Sequence, residues 1–161
     1  MGKGSMSTGA GIRVGADVVG VRQVAESIAK FGDRYLRRVY TEHEIASCIG
    51  APMVVAAGLA ARFAAKEATI KVLRPSGHQP AWRCIEVHRH AAGWCSISLS
   101  GHAAFLAEQA GIAEIGLSLT HEADMGAAVV VAMCHEAEPK CEERGSHIGG
   151  LSFIGAGSWT K

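Results

Sequence analysis

The sequence feature that most restricts the fold is a run of small apolar residues between positions 52 and 73, in which alanine is the commonest residue. Alanine has the highest helix propensity, and Pro52 suits the first turn of a helix, where a missing N–H breaks no hydrogen bond. Pro75, Gly77 and Pro80 interrupt the pattern afterwards. The sequence therefore predicts a long helix over about 53–73, with a small domain packed around it.

Size and composition suit one globular domain. The chain has 161 residues, of which 48% are hydrophobic and 19% charged, and it needs no disulfide or structural metal to bury a core. A net charge of +1 argues against a general nucleic-acid binder. No apolar run reaches the roughly 18–20 residues of a membrane span. The five cysteines form no C-x-x-C pair, which indicates reduced thiols and a cytoplasmic protein.

Strand and helix patterns alternate along the chain. Val and Ile dominate 12–21, which predicts a strand, and apolar spacing predicts a helix over 23–31 that ends at Gly32. The segment 35–40 is ambiguous. Thr41 and Glu44 form a capping-box pattern, so a short helix should follow to about position 49.

The second half of the chain predicts two strand pairs. The pairs are 84–89 with 94–100, and 115–120 with 127–133, separated by a helix over 101–111. The order β-α-α-α-ββ-α-ββ indicates an α+β fold, with a mainly antiparallel sheet packed against the long helix. We expect the domain to span 12–134, after a flexible leader (1–11) and before a glycine-rich tail (135–161).

Several charged residues point to a site on the long helix. Glu67 and Lys71 share one helical face, and Arg62 and Lys66 lie on the neighbouring stripe; in isolation this is usually a solvated face. Asp17 is less ordinary, because a carboxylate within an apolar strand must be exposed or paired. Two carboxylates from separate elements can hold Mg²⁺, and nearby cations can neutralise phosphate. The residues therefore suit phosphoryl transfer.

Five segments and Asp17, in order along the chain, match a known family. They are Asp17 in its strand, Tyr40-Thr41-Glu42-His43-Glu44, Arg62-Phe63-Ala64-Ala65-Lys66-Glu67-Ala68-Thr69-Ile70-Lys71, Cys84-Ile85-Glu86-Val87, Leu99-Ser100-Gly101-His102-Ala103 and Leu117-Ser118-Leu119-Thr120-His121-Glu122. With these motifs the chain resembles the 4′-phosphopantetheinyl transferases, and among them the small holo-acyl-carrier-protein synthases. The combination of the Lys-Glu-x-x-x-Lys helix with the Ser-x-Thr-His segment is the specific part of the match.

The resemblance implies an enzyme with a defined reaction. It implies Mg²⁺-dependent transfer of the phosphopantetheine arm of coenzyme A, the co-substrate, to a serine of apo acyl carrier protein, with release of 3′,5′-ADP. Asp17 and Glu67 match the metal ligands of the family. Lys71 matches a lysine that contacts the phosphates. The choice of general base among Glu67, Lys71, His121 and a metal-bound water stays open.

The resemblance also implies binding partners. Arg62 and Lys66 would add positive charge around coenzyme A, and His121 matches a histidine near the nucleotide. Members of this branch form trimers with the coenzyme A cleft between subunits, so His121 would complete a neighbour's site. A basic cluster suggests a docking face for the acidic carrier protein. Its members are Arg22, Lys30, Arg34, Arg37 and Arg38.

The chain departs from the family pattern at two places. Gly20 stands where a glutamate usually follows the first motif, and Arg74-Pro75-Ser76-Gly77 replaces a loop in which glycine comes sooner. These departures keep open one alternative, a degenerate relative that binds carrier protein or coenzyme A without turnover. A second alternative, an unrelated α+β nucleotide-binding module, requires the matches at Lys71 and His121 to be accidental.

Other potential metal ligands lack the spacing of a zinc site. His88 and His90 alternate along one strand, and Cys134 and His135 precede Cys141. Neither group has the paired spacing typical of zinc, so the sequence predicts no zinc site.

Overall fold

The structure, a computed structural model, describes residues 11–135. Its elements are β1 (Ile12–Gly20), α1 (Val21–Phe31), α2 (Asp33–Val39), α3 (Glu42–Ala46), α4 (Pro52–Leu73), a 3₁₀ turn (Trp82–Cys84), β2 (Ile85–Arg89), β3 (Cys95–Leu99), α5 (Gly101–Gln109), β4 (Ile112–Glu122) and β5 (Met125–Cys134). Apart from Gly11 and His135, the expected leader and tail lie outside the described residues.

The predicted α+β class is confirmed, but the strands are divided between two sheets. The strands form two antiparallel sheets, one of three strands in the order β1-β5-β4 and one of two strands, β2-β3. The ambiguous segment 35–40 belongs largely to helix α2, and the β4-β5 hairpin is longer than the predicted strands. Among residues 11–135, no helix is both long and apolar enough to cross a membrane.

Helix α4 is the centre of the domain and is buried around most of its circumference. Its buried residues include six of the alanines between positions 57 and 68, together with Arg62 and Lys66. The three-stranded sheet packs on one side, while α1 and β2 pack elsewhere on the helix. A helix that is apolar all round is expected in a core, and the alanines allow its neighbours to approach closely.

Two glycines bring the sheet into backbone contact with α4. A Cβ atom at Gly15 in β1 would collide with the carbonyl oxygen of Ala68. A Cβ atom at Gly126 in β5 would lie 2.5 Å from the backbone nitrogen of Ala61. Since the obstructing atoms belong to helix backbone, they cannot move aside as a flexible side chain would. These two contacts fix how β1 and β5 lie against the helix.

The opposite face of the three-stranded sheet is apolar and exposed. Residues of β1 and β5 that point away from α4 have exposed fractions between 38% and 69%. They are Ile12, Val14, Val18, Val129, Val131 and Met133. On β4 the corresponding face carries Gly116, Ser118 and Thr120, which are opposite Val131, Val129 and Ala127 of β5. The sequence analysis did not anticipate this face, and contiguous exposed apolar side chains of this kind often mark an interaction surface.

Replacing Gly15 with alanine should destabilise the protein. The new methyl group would force β1 away from Ala68, and we expect the free energy of unfolding to fall by at least about 2 kcal/mol. Urea unfolding followed by circular dichroism measures this change. Gly20→Ala is the matched control, because a Cβ atom there meets its nearest neighbour at 3.8 Å. Equal stability of the two variants would contradict the close contact.

Candidate active site

Asp17 lies on the face of β1 that points toward α4. Its neighbours on this face, Gly15 and Val19, are buried, whereas the Asp17 side chain remains 21% exposed. The ammonium of Lys71 lies 2.8 Å from Oδ1 of Asp17, and it also donates a hydrogen bond of 2.7 Å to the carbonyl oxygen of Ala16. The structure therefore joins the strand carboxylate to the end of the long helix.

Glu67 completes this group one turn before Lys71. Partial burial raises the pKa of Glu67, the charge of Asp17 raises it further, and Lys71 opposes both effects. The two carboxylates are thus close enough to repel each other. Together they offer oxygen ligands of the type that Mg²⁺ prefers, and a divalent cation would relieve their repulsion. The structure thus pairs Lys71 with Asp17 and leaves Glu67, one helical turn away, within range of the Asp17 charge.

Arg62 and His121 meet in a second place, a cavity of about 460 Å³ beside the edge strand β4. Arg62 is buried, and it donates hydrogen bonds to the carbonyl oxygen of Gly58 at 3.0 Å and to Oγ of Ser47 at 2.8 Å. Within the described residues, its buried Nε has no hydrogen-bond partner. Arg89 also lines the cavity. The cavity therefore offers cationic groups and a histidine to an anionic ligand.

The predicted surface position of Lys66 is wrong. Its side chain is 0% exposed and pairs with the equally buried Glu44 at 2.8 Å. The ammonium also donates hydrogen bonds to the carbonyl oxygens of Trp82 and Ile85. Burial lowers the pKa of Lys66, and Glu44 opposes that shift. The stripe that holds Lys66 faces protein because β2 and the 3₁₀ turn cover it, so this lysine is not available to a phosphate.

Glu44 has a second function that the capping-box pattern alone did not reveal. As predicted, its carboxylate accepts a hydrogen bond from the backbone N–H of Thr41 at 2.8 Å. Its other oxygen accepts one from the backbone N–H of Val87 at 3.0 Å. The same carboxylate therefore caps α3, joins it to β2 and neutralises Lys66. Glu44 and Lys66 are far apart in the sequence, so no local pattern predicts that they pair.

The basic residues predicted as a docking face lie on α1 and α2, and all of them are exposed. Arg22 is 3.7 Å from Asp124, and Arg37 is 3.8 Å from Glu42, so exposed ion pairs partly neutralise two members. Lys30 and Arg34 lie beside the ring of Phe31. This arrangement keeps a cationic surface accessible from solvent.

The family model of the 4′-phosphopantetheinyl transferase superfamily matches residues 13–134. The holo-acyl-carrier-protein synthase of Gloeobacter violaceus is 36% identical over 118 residues, which are 73% of this chain and 89% of that protein. That of Chloroflexus aggregans is 40% identical over 129 residues, with coverage of 73% and 92%. The solved Chronobacterium ammoniagenes ACPS–CoA complex aligns with a TM-score of 0.66 at 28% identity, covering 78% of this chain and 98% of that one.

The chain therefore belongs to the 4′-phosphopantetheinyl transferase superfamily. Within that superfamily it is similar to holo-acyl-carrier-protein synthases, including the Mycobacterium tuberculosis acyl carrier protein synthase, whose structure is 33% identical with a TM-score of 0.59 and covers 76% of this chain and 97% of that one. The fold predicted from the resemblance is confirmed.

Replacing Glu67 with glutamine should stabilise the protein at neutral pH. The raised pKa means that the folded state opposes ionisation of Glu67, so the stability cost appears as pH rises through the ordinary glutamate pKa and is complete above the folded-state pKa. We expect a higher urea midpoint for Glu67→Gln at pH 7 and convergence with wild type near about pH 3. Glu108→Gln, at an exposed position on α5, is the control. A lower midpoint at pH 7 would contradict the repulsion.

Proposed function

We propose that this chain is a holo-acyl-carrier-protein synthase. It transfers the 4′-phosphopantetheine moiety of coenzyme A to a serine of apo acyl carrier protein and releases 3′,5′-ADP. The observation that carries the proposal is the meeting of Asp17, Glu67 and Lys71 within the matched family region, 13–134. The relatives bear this activity in their names, and a relative of 28% identity binds coenzyme A.

Asp17 and Glu67 are the proposed ligands of Mg²⁺. The fit rests on the donor set, because two repelling carboxylates that share one solvent-accessible edge are stabilised by a hard divalent cation. When bound, the cation supplies positive charge to the diphosphate of coenzyme A. Lys71 supplies a second positive charge. Its ammonium is held by Asp17 and Ala16, while its side chain is 52% exposed and accessible to a phosphate oxygen.

The reaction breaks one bond and moves one proton. The serine hydroxyl of the carrier protein attacks the β-phosphorus of coenzyme A, and the bond from that phosphorus to the bridging oxygen breaks, so 3′,5′-ADP leaves with the electron pair. Lys71 stabilises the charge that grows on the phosphate oxygens. The serine proton passes to a base. Glu67 is not that base, because a carboxylate that coordinates Mg²⁺ is a weaker proton acceptor than a free one. A base within hydrogen-bond reach of the serine hydroxyl, such as His121 or a water molecule, fits the step.

The Arg62 cavity is the proposed place for the nucleotide end of coenzyme A. Arg62, Arg89 and His121 supply donors for an anion, and the Nε of Arg62 lacks a protein acceptor in the described part of the chain. Positions 62 and 71 are nine residues apart on α4, or about 13 Å along the helix axis, so the cavity and the group around Lys71 are separate places on one chain.

The apolar outer face of β1 and β5 is proposed to contact other copies of this chain in a homotrimer. A face of Val, Ile and Met side chains would bury its area in such a contact, whereas exposure to water is unfavourable. Assembly through this sheet would bring the β4-β5 hairpin, which carries His121, toward neighbouring subunits. The coenzyme A site is then completed by His121 of one subunit and by Glu67 of another.

The exposed cations of α1 and α2 are the proposed contact surface for the acidic carrier protein. Charge complementarity of this type mainly accelerates encounter and selects orientation. A cytoplasmic location accompanies the proposal, consistent with the free thiols of Cys48, Cys84, Cys95 and Cys134. The degenerate alternative is not favoured, because both carboxylates and the lysine are present and adjacent.

Glu67→Gln should abolish transfer without unfolding the protein. Loss of a metal ligand removes several kcal/mol of transition-state stabilisation, so we expect the rate at moderate Mg²⁺ to fall by at least about 100-fold. Mass spectrometry of apo carrier protein incubated with coenzyme A and Mg²⁺ measures the phosphopantetheine mass gain. Glu108→Gln should retain the wild-type rate. Near-normal transfer by Glu67→Gln would exclude Glu67 as a ligand, and no transfer by wild type would exclude the enzyme.

Mixed trimers should recover activity from two inactive chains. Glu67→Gln and His121→Ala trimers should each transfer slowly at low coenzyme A, since each lacks one half of every site. Equal amounts assembled at random should regain about one quarter of the wild-type rate, because that fraction of interfaces pairs two intact halves. Light scattering verifies the trimer, and unmixed variants treated identically are the controls. A rate equal to the average of the two variants would place both residues of each site in one chain.

A further inference from the structure

Three potential metal ligands lie together on the far side of α3 and β2 from the long helix. They are His43 of α3 and Glu86 and His88 of β2, and their ligand atoms all lie within 4.8 Å of one another. The imidazole centroids of His43 and His88 are 4.9 Å apart, and Nε2 of His88 is 3.9 Å from Oε1 of Glu86. None of the three belongs to the group around Asp17.

The backbone positions these side chains for physical reasons. Ile85 and Val87 are fully buried, so strand alternation turns Glu86 and His88 to the opposite face of β2. Helix α3 is held against that strand by Glu44, whose carboxylate accepts a hydrogen bond from the backbone N–H of Val87. His43 is the residue before Glu44, and its position over β2 is therefore fixed by the same buried contact. This explains why spacing along the chain gave no zinc signal.

We propose that His43, Glu86 and His88 form a binding site for a first-row divalent transition metal, with Zn²⁺ as the best fit. Two imidazoles and one carboxylate are a ligand set that zinc accepts, and a water molecule would take the fourth position. The imidazole nitrogens disfavour Mg²⁺, which prefers oxygen. Tetrahedral ligands around zinc are roughly 3.3–3.4 Å apart, so small side-chain rotations suffice to close the site.

Neighbouring groups leave room for the ion and moderate its affinity. The residues opposite Glu86 and His88 on β3 are Ser98 and Ser96, which are small. The buried ammonium of Lys66 interacts with Glu86 and would oppose a cation, but Glu44 is its closer partner. A bound ion would join α3 to β2 at the surface above the Glu44–Lys66 pair. The site would therefore stabilise this part of the fold without entering the transfer chemistry.

Calorimetric titration of the full-length, chelator-treated protein with ZnCl₂, in excess Mg²⁺, tests the site. We expect one equivalent of Zn²⁺ per chain. His43→Ala and His88→Ala should each weaken binding by at least about tenfold, the lower limit of what loss of even a supporting group costs. His102→Ala, at an exposed position on α5, should bind as wild type does. Glu67→Gln should also retain binding, which separates this site from the active-site carboxylates.

Thermal unfolding gives a second measurement that does not depend on activity. Zn²⁺ should raise the Tm of wild type by about 5 °C or more, and it should raise the Tm of His43→Ala much less. Without metal the two proteins should unfold at similar temperatures, since His43 is exposed. The proposal is overturned if no Zn²⁺ binds, if binding is unchanged in both histidine variants, or if Glu67→Gln removes it.

Discussion

The backbone contact between the three-stranded sheet and α4 is the constraint on which the rest of the structure depends. Gly15 and Gly126 remove the side chains that would separate the two layers, and the alanines of the helix do the same from their side. Asp17 is two residues beyond Gly15 on the same face of β1. The contact that admits no methyl group at position 15 therefore also sets the height of the Asp17 carboxylate over Lys71. Packing and site geometry have one origin here.

Adjacent charged residues on α4 have opposite environments. Lys66 and Glu67 differ by about 100° around the helix axis. Lys66 is enclosed by α3, β2 and the 3₁₀ turn, where a buried cation requires Glu44 and carbonyl acceptors. Glu67 lies beside β1, where partial burial and then the neighbouring Asp17 carboxylate raise its pKa. Lys66 thus orders a short helix, whereas Glu67 lies beside another carboxylate, an arrangement that suits the proposed metal site.

Local patterns in the sequence predicted the helices and strands well, but they predicted only some of the contacts between them. Alanine content and Pro52 predicted α4, and Thr41 with Glu44 predicted the cap of α3, because these signals act within one turn of chain. The site pair of Asp17 and Glu67 needed the family resemblance, since no local rule joins positions fifty residues apart. Lys66 was misplaced because i,i+4 spacing shows which residues share a stripe and does not show which stripe is covered. The same limit concealed His43, Glu86 and His88.

The exposed face of the sheet offers a reason why the cations of the Arg62 cavity and Lys71 lie in separate places on one chain. Within one chain, β1 and β5 present apolar side chains outward, while β4 presents glycine, serine and threonine beside them. If subunits associate through β1 and β5, the polar strand β4 lies at the edge of the interface. His121 is near the end of that strand. Burial of apolar area would then supply the free energy that holds His121 near another subunit's Glu67. In the proposed trimer, the surface that is unfavourable in water on a single chain would also complete the site.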